Sequence, residues 1–148
     1  MKKLIDLLLP LRTAYAHCDI PCGVYDPKPA QMAAETVEKM VNKILNPEIL
    51  DEKDQASRVN FHNNMTRYVL VKEQQAEICK REVLILWTDF FKEENLEDFP
   101  ELHSLVWKTT KLCSTNKREV SAESAKALRD HVDQIADIFS KVKAAAKK

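Results

Sequence analysis

Glycine is nearly absent from this chain, because the 148 residues contain only one, Gly23. Glycine adopts positive φ more readily than any other residue, so a sheet protein with many tight turns would need several. The composition therefore predicts an all-α chain with few turns. It also marks the segment around Gly23 as the place where the backbone is expected to turn sharply.

The chain also lacks a long apolar run and an excess of charge. Its longest apolar stretch, residues 4–11, contains Asp6 and Pro10 and is shorter than the roughly 18 residues that a membrane span needs. The 23 basic and 23 acidic side chains cancel, so bulk charge attracts neither nucleic acid nor an anionic membrane. We expect a soluble protein with no nucleic-acid and no membrane partner.

Four segments carry apolar residues at helical spacing, which predicts one domain built as an up-and-down four-helix bundle. The first follows a turn at residues 25–27 and ends before Pro47, and the second runs from about residue 56 to 88. Pro100 is expected in the first turn of the third helix, and Ser121 is expected to cap the fourth. The predicted inner faces are Met32, Val37, Met40, Val41 and Ile44; Met65, Tyr68, Val69, Ala76, Cys79, Val83 and Leu86; Leu102, Leu105, Val106, Thr109 and Leu112; and Leu128, Val132, Ile135, Phe139 and Val142.

The four cysteines form two unlike pairs. Cys18 and Cys22 lie close together beside the single glycine, whereas Cys79 and Cys113 each fall within a helical pattern. Isolated cysteines on a helix pack as small hydrophobes, so the second pair is predicted to belong to the core and not to a disulfide framework. Metal or redox chemistry is therefore sought in the first pair.

Residues 1–16 are interpreted as a leader that is removed. Two lysines precede a short leucine-rich region, and Ala14-Tyr15-Ala16 is a small-x-small processing pattern. Because acidic, proline and arginine residues interrupt the apolar region, both a cytoplasmic pro-segment and a secretory signal peptide fit. The mature domain is then residues 17–148, expected in the cytoplasm, or exported if the leader acts as a signal peptide.

Cleavage after Ala16 would make His17 the amino terminus, whose free amine and imidazole are both metal donors. The amide and thiolate of Cys18 would close further chelate rings, and Cys22 would return a second thiolate if the chain reverses at the proline and glycine beside it. A planar N2S2 set with an axial imidazole indicates Ni(II) or Cu(II), since zinc prefers a tetrahedron. Thiolate and amide donors make one-electron cycling accessible, so redox chemistry is favoured over hydrolysis.

Spacing alone leaves other interpretations open. A Cys-x-x-x-Cys pattern near a chain end also fits a disulfide, half of a zinc site or no site. His62, His103 and His131 fall in three different predicted helices without a helical i, i+4 partner, which favours surface or core positions over a zinc site. One glycine builds neither a phosphate-binding loop nor a serine elbow.

The segment His17-Cys18-Asp19-Ile20-Pro21-Cys22-Gly23-Val24-Tyr25-Asp26-Pro27 resembles the signature of the nickel-containing superoxide dismutases. Further similarity lies in residues 71–74, 86–92 and 99–103, so the resemblance covers the chain from His17 onward. It implies a four-helix bundle, a homohexamer and an antioxidant oxidoreductase that converts superoxide to oxygen and hydrogen peroxide by Ni(II)/Ni(III) cycling. One nickel ion per chain is expected, together with a processing protease for the leader.

The resemblance also implies roles for individual residues. His17, Cys18 and Cys22 would be the nickel ligands. Tyr25 would complete the catalytic set beside the open face of the metal, where it orders water or gates superoxide. Lys92 would help to draw the superoxide anion inward.

Three positions depart from the family's pattern. Family members often hold the axial imidazole with a glutamate on the first helix and an arginine on the second, and this chain has Ala33 and Gln75 at those places. Gln75 or water would then take over the contact with His17. Phe90 stands where the family often has a second tyrosine near the pocket. Phenylalanine donates no hydrogen bond, so the proton route would depend on Tyr25 and water.

Two rival hypotheses come from other classes of protein. A nickel or copper carrier would use the same amino-terminal ligands without turnover. A structural bundle with a disulfide between Cys18 and Cys22 would bind no metal. Metal analysis combined with a superoxide assay on the trimmed protein separates the three.

Overall fold

Four long helices dominate residues 24–146, the part of the chain that this computed structural model describes. A single helical turn at Asn95–Asp98 and a π-helical turn connect the second long helix to the next. No strand occurs within residues 24–146, and the prediction of an all-α fold with four long helices is confirmed. The helices are α1, Lys28–Leu45; α2, Gln55–Ile85; α3, Asn95–Asp98; α4, Leu102–Arg118; and α5, Ala122–Ala145.

The long helices form a closed ring of neighbours. α1 packs against α2 and α5, and α4 packs against the same two helices from the other side. Long helices that follow one another in the chain are therefore also neighbours in space, as in an up-and-down bundle. Over the range that the structure describes, no helix is both long and apolar enough to cross a membrane.

The helix ends follow the capping residues of the sequence. The Asp54 carboxylate accepts hydrogen bonds from the backbone amides of Ala56 and Ser57 at the start of α2. The Ser121 hydroxyl accepts one from the Ser124 amide at 3.1 Å, so the predicted cap of the last helix is confirmed. Pro100 differs from its prediction, since it precedes the helix that begins at Leu102 and does not lie in its first turn.

The residues of the predicted inner faces are buried or half-buried, except for two that are exposed. Met32 is 58% exposed because it lies on the opposite side of α1 from the buried face formed by Ala30, Ala33, Ala34, Val37 and Val41. Val69 is 38% exposed although it shares a face with the buried residues of α2, because the first residue of α2 that the bundle buries is Lys72. Both predictions of burial are wrong: Met32 faces away from the core, and Val69 precedes the buried part of α2.

Lys72 is the buried charge of the bundle, with 2% of its surface exposed. Its Nζ donates hydrogen bonds to three backbone carbonyls at the end of α4, those of Asn116, Lys117 at 3.0 Å and Glu119 at 3.2 Å. Burial lowers the pKa of Lys72 from its usual value, whereas the three carbonyl oxygens and the negative end of the helix dipole favour the charged form. Lys72 thereby fixes the end of α4 against α2.

The carboxyl end of α2 widens into a π-helical turn, Leu86–Phe90, in which the Phe91 amide donates to the Leu86 carbonyl at 3.0 Å. The predicted helix extended to residue 88, but the α-helix ends at Ile85. The Phe90 ring lies 4.1 Å from the Phe139 ring of α5, centroid to centroid. The wider turn therefore presents aromatic side chains to the end of α5, near the start of α1. In other proteins such π-turns often mark functional sites.

Candidate metal centre

The predicted ligands His17, Cys18 and Cys22 lie outside the described residues, as does the predicted leader at 1–16. Of the predicted site residues, the structure describes Tyr25, the second residue of the described range. Val24, the first, is 70% exposed. Tyr25 is half-buried and packs against the hydrophobic core.

Tyr25 is held by contacts with two distant elements. Its ring packs edge-on against Phe90 with the centroids 6.2 Å apart, and its backbone carbonyl accepts a hydrogen bond from Lys143 Nζ at 3.4 Å. The same Nζ lies 5.2 Å above the centre of the Phe139 ring, which itself stacks on Phe90. These four side chains link the π-turn, α5 and the residue that follows the predicted ligands.

A turn directly after Tyr25 directs the chain into α1. The Asp26 carboxylate accepts a hydrogen bond from the Lys28 amide at 2.8 Å, and the Pro27 carbonyl accepts one from the Gln31 amide at 3.1 Å. Proline at the first positions of α1 fixes φ at the value that a helix requires. The position of Tyr25 relative to the bundle is thus set from both sides, by its own contacts and by the helix that follows.

A cavity of about 680 Å³ opens beside Tyr25 at this end of the bundle. Phe90, Phe91 and Phe99 supply its apolar wall. Three lysines and three acidic residues supply its charges, so the lining carries no net charge. The charged residues are Lys92, Lys141, Lys143, Asp89, Glu94 and Asp98.

Lys92, the predicted anion-steering residue, lies at this cavity, and its side chain is exposed. Its backbone amide donates to the Asn95 side chain at 2.9 Å, which places it at the start of the loop that leads into α3. The carboxylates on the same wall offset its attraction for an anion. Its steering role stays a prediction.

The two positions that replace the family's imidazole contacts are unequal. Ala33 is 1% exposed and faces the core, so it offers no polar group. Gln75 is half-buried on α2, the helix that packs against α1. Of the two, only Gln75 has a side chain able to hydrogen-bond an imidazole. Its contact with His17 stays a prediction.

Within residues 24–146, no group of three or more histidine, cysteine, aspartate or glutamate side chains is arranged to hold a metal ion. His62 packs against Phe61 on α2, and His103 lies 5.6 Å from the Trp87 ring. His131 is half-buried on α5, and burial lowers its pKa, with Lys108 adding to the effect. The three histidines thus occupy separate places on three helices.

The chemistry of the donors decides which cysteines fit a redox metal. Cys79 and Cys113 are free and fully buried in the core, so their sulfurs are not accessible to a substrate in solvent. Cys18 and Cys22 flank a proline and precede the exposed Val24 in the sequence. Together with His17 they provide the nitrogen and thiolate donors that suit nickel, so this set fits the metal.

Sequence reasoning did not find the residues that hold Tyr25. Phe139 was predicted only as a core residue of α5, and Lys143 lies 118 positions from Tyr25 in the chain. No local pattern reports a contact across that separation. The placement of Phe90 beside Tyr25, in contrast, agrees with the position that the resemblance gave it.

Known proteins resemble this chain over most of its length. The sequence profile of the family described as nickel-containing superoxide dismutase matches residues 12–143. The nickel superoxide dismutases of Streptomyces coelicolor (strain ATCC BAA-471 / A3(2) / M145) and Streptomyces seoulensis are 38% and 35% identical over 139 residues, which are 94% of this chain and 97% of each relative. The native structure of a nickel superoxide dismutase is similar with a TM-score of 0.70 and 37% identity, covering 86% of this chain and 99% of that chain.

Proposed function

We propose that this chain, which belongs to the nickel-containing superoxide dismutase family, converts superoxide to oxygen and hydrogen peroxide. The observation that carries the proposal is the extent of the family match. Residues 12–143 include the predicted ligand segment and all but the last two residues of the bundle. The family's description names nickel, which supplies one-electron oxidation and reduction when it is bound, and one ion per chain is proposed.

The residues that hold the metal are His17, Cys18 and Cys22. His17 contributes its α-amine and its imidazole, Cys18 its backbone amide and thiolate, and Cys22 a second thiolate. The support is twofold: these donors suit nickel, and the family match covers all three positions. Gln75, which keeps a polar side chain on α2, is the residue of this chain proposed to orient the His17 imidazole.

Tyr25 acts beside the metal by ordering water and controlling the approach of superoxide. Two protons are consumed for every two superoxide ions that react, so the site needs a proton source. The neighbouring Phe90 ring lies 6.2 Å from the Tyr25 ring and carries no hydroxyl. Protons are therefore delivered by Tyr25 and water, with Phe90 serving to hold the tyrosine in place.

The leader at residues 1–16 is removed by a processing protease before the site is active. A peptide bond at His17 would turn its α-amine into an amide, which gives up its proton to a metal far less readily than an amine whose reference pKa is about 7.7–8.0. In support, the small-x-small processing pattern Ala14-Tyr15-Ala16 ends directly before His17. The cytoplasm is the proposed location, and export with the leader as a signal peptide is the alternative.

A homohexamer is the proposed assembly, with no nucleic-acid or membrane partner. Support comes from large apolar side chains that the bundle leaves exposed, five of them on α2. Such side chains on a protein surface favour burial against another chain. They include Val59, Val69, Leu70, Ile78 and Leu84 on α2, and Trp107 on α4.

The decisive experiment compares the protein beginning at His17 with its Cys18→Ser variant. Both are loaded with nickel, analysed for metal and assayed for superoxide loss by stopped flow. We expect about one nickel per chain and dismutation only in the chain with both thiolates. Stoichiometric nickel without turnover in the unsubstituted protein would identify a nickel carrier, and absence of bound metal would favour the structural bundle.

A further inference from the structure

The second cysteine pair lies across the interface between α2 and α4. Cys79 and Cys113 are both 0% exposed and belong to the same hydrophobic core. Neither forms a disulfide in the structure. The proposed dismutation uses neither of them, because both lie in the core without access to solvent.

Polar contacts on either side of the pair define how the two helices align. Lys80 Nζ donates to the Ser114 hydroxyl at 3.3 Å, so the residues next to Cys79 and Cys113 meet directly. Glu77 and Lys117 form an ion pair of 2.8 Å about one turn further along. The two helices run antiparallel, and this alignment brings Cys79 opposite Cys113.

The two thiols also interact with each other. The Cys113 thiol is the largest cause that raises the pKa of Cys79, and burial is the second, with Cys113 and Glu82 contributing further through charge. Neighbouring thiols on two packed antiparallel helices are the arrangement from which two cysteines approach disulfide geometry. The pair is therefore more than two separate core residues.

We propose that Cys79 and Cys113 are a peroxide-sensitive dithiol that closes into a disulfide between α2 and α4. The oxidant is hydrogen peroxide, and its local source rests on the proposed dismutation, which releases it. The modification is intramolecular and reversible by thiols. It would lock two of the four long helices together in a protein exposed to its own oxidising product.

The chemistry balances with one peroxide molecule. One cysteine sulfur attacks a peroxide oxygen as a thiolate, the O–O bond breaks, and a sulfenic acid and water form. The second sulfur then attacks the first, an S–S bond forms, the S–O bond breaks, and the departing hydroxide takes the remaining thiol proton to become water. Two thiols are oxidised by two electrons in total, and hydrogen peroxide is reduced to two waters.

The environment of the pair sets its rate. Since only the thiolate is nucleophilic and both neighbour and burial hold Cys79 in the thiol form, reaction in the closed bundle is slow. Local opening of the α2–α4 interface exposes the sulfurs and allows a thiolate to form. The disulfide therefore accumulates over many turnovers and forms faster when opening is promoted by sub-denaturing urea.

The test treats the full-length chain with added hydrogen peroxide, so its result does not depend on dismutation. After alkylation under denaturing conditions, tryptic digestion releases Cys79 in residues 73–80 and Cys113 in residues 112–117, both separate from the peptide that carries Cys18 and Cys22. We expect the two peptides to appear cross-linked, with a rate that rises in urea and with reversal by dithiothreitol. Recovery of both peptides fully alkylated, with oxidation confined to Cys18 and Cys22, overturns the proposal.

A matched variant and a second measurement protect the test. Cys79→Ala removes one sulfur from the core, and its Cys113 peptide should stay alkylatable under the same treatment. The cross-link closes a loop of about 35 residues, which should raise the unfolding midpoint of the oxidised unsubstituted chain by roughly 10 °C relative to its reduced form. An unchanged or lowered midpoint in a cross-linked sample would show that the native helices do not accommodate the bond, against the proposal.

Discussion

The segment at residues 17–25 and the bundle at 28–145 divide the properties of this protein between them. The segment contains the only glycine and all three proposed nickel ligands. The bundle contains the buried hydrophobic core, and within the described residues it holds no cluster of metal-ligating side chains. Chemistry and stability therefore depend on different parts of the chain, joined at Tyr25.

The two cysteine pairs show how this division operates on one residue type. Cys18 and Cys22 precede a residue that is 70% exposed, whereas Cys79 and Cys113 are 0% exposed. The neighbouring Cys113 thiol and, after it, burial raise the pKa of Cys79 and keep it from acting as a fast nucleophile or metal ligand. Cysteine is thus a proposed metal ligand in one region and a buried, slowly oxidised thiol in the other.

The largest expected effect comes from removing a thiolate. Cys18→Ser or Cys22→Ser in the chain that begins at His17 should abolish dismutation, because a hydroxyl does not supply the donor that makes nickel redox-active. Circular dichroism should show unchanged helix content, since the core residues lie elsewhere. Activity that survived in both variants would break the separation between the two regions.

Lys72→Met should act in the opposite way, on stability and not on the site. It would leave three backbone carbonyls at the end of α4 without their cationic donor, at a cost of about 2–4 kcal/mol in the free energy of unfolding. Urea denaturation measures that cost. Lys80→Met, which removes one 3.3 Å hydrogen bond to Ser114, serves as the control and should cost less than about 1 kcal/mol.

His17→Ala should separate nickel binding from turnover. The amine, amide and thiolates remain, so metal analysis should still find nickel, while the loss of the imidazole should lower turnover by about 100-fold, the upper end of what even indirect metal contacts contribute. Stopped-flow assays at matched nickel content measure the difference. Equal turnover with and without the imidazole would remove His17 from the redox chemistry.

Tyr25→Phe is expected to have the smallest effect. It keeps the packing against Phe90 and the backbone hydrogen bond from Lys143, and it removes a hydroxyl worth about 1 kcal/mol, which corresponds to roughly a fivefold loss of turnover. Nickel content should not change. An enzyme with unaltered turnover and anion inhibition would assign Tyr25 to packing alone.

Most of the fold could be predicted from residue spacing and capping. The helix starting at Ala122 followed from Ser121, and the end of α1 before Pro47 followed from the proline. The π-turn at Leu86–Phe90 was not predictable, because its residues fit an α-helix equally well and its wider hydrogen bonding depends on packing against α5. The buried Lys72 was not predictable either, since its carbonyl partners lie over 40 residues away.

The site divides in the same manner. The spacing of His17, Cys18 and Cys22 indicated the donor chemistry, because chelation by neighbouring residues is a local property of the sequence. The cavity beside Tyr25 and the contact with Lys143 were not foreseen, because both are formed by residues that meet only after the bundle has folded. Resemblance to the family placed Phe90 near the pocket, and in the structure its ring packs against Tyr25.

The most direct test of the central claim, that a free α-amine on His17 creates the metal site, uses three amino termini. Chains that begin at Ala16, His17 and Cys18 share the same bundle and the same thiolates, and they are loaded with nickel and assayed side by side. The chain beginning at His17 should be the active one, because an extra Ala16 moves the amine away from the imidazole and removal of His17 deletes both donors. Equal activity in the chain beginning at Ala16 would contradict the amine-ligand mechanism.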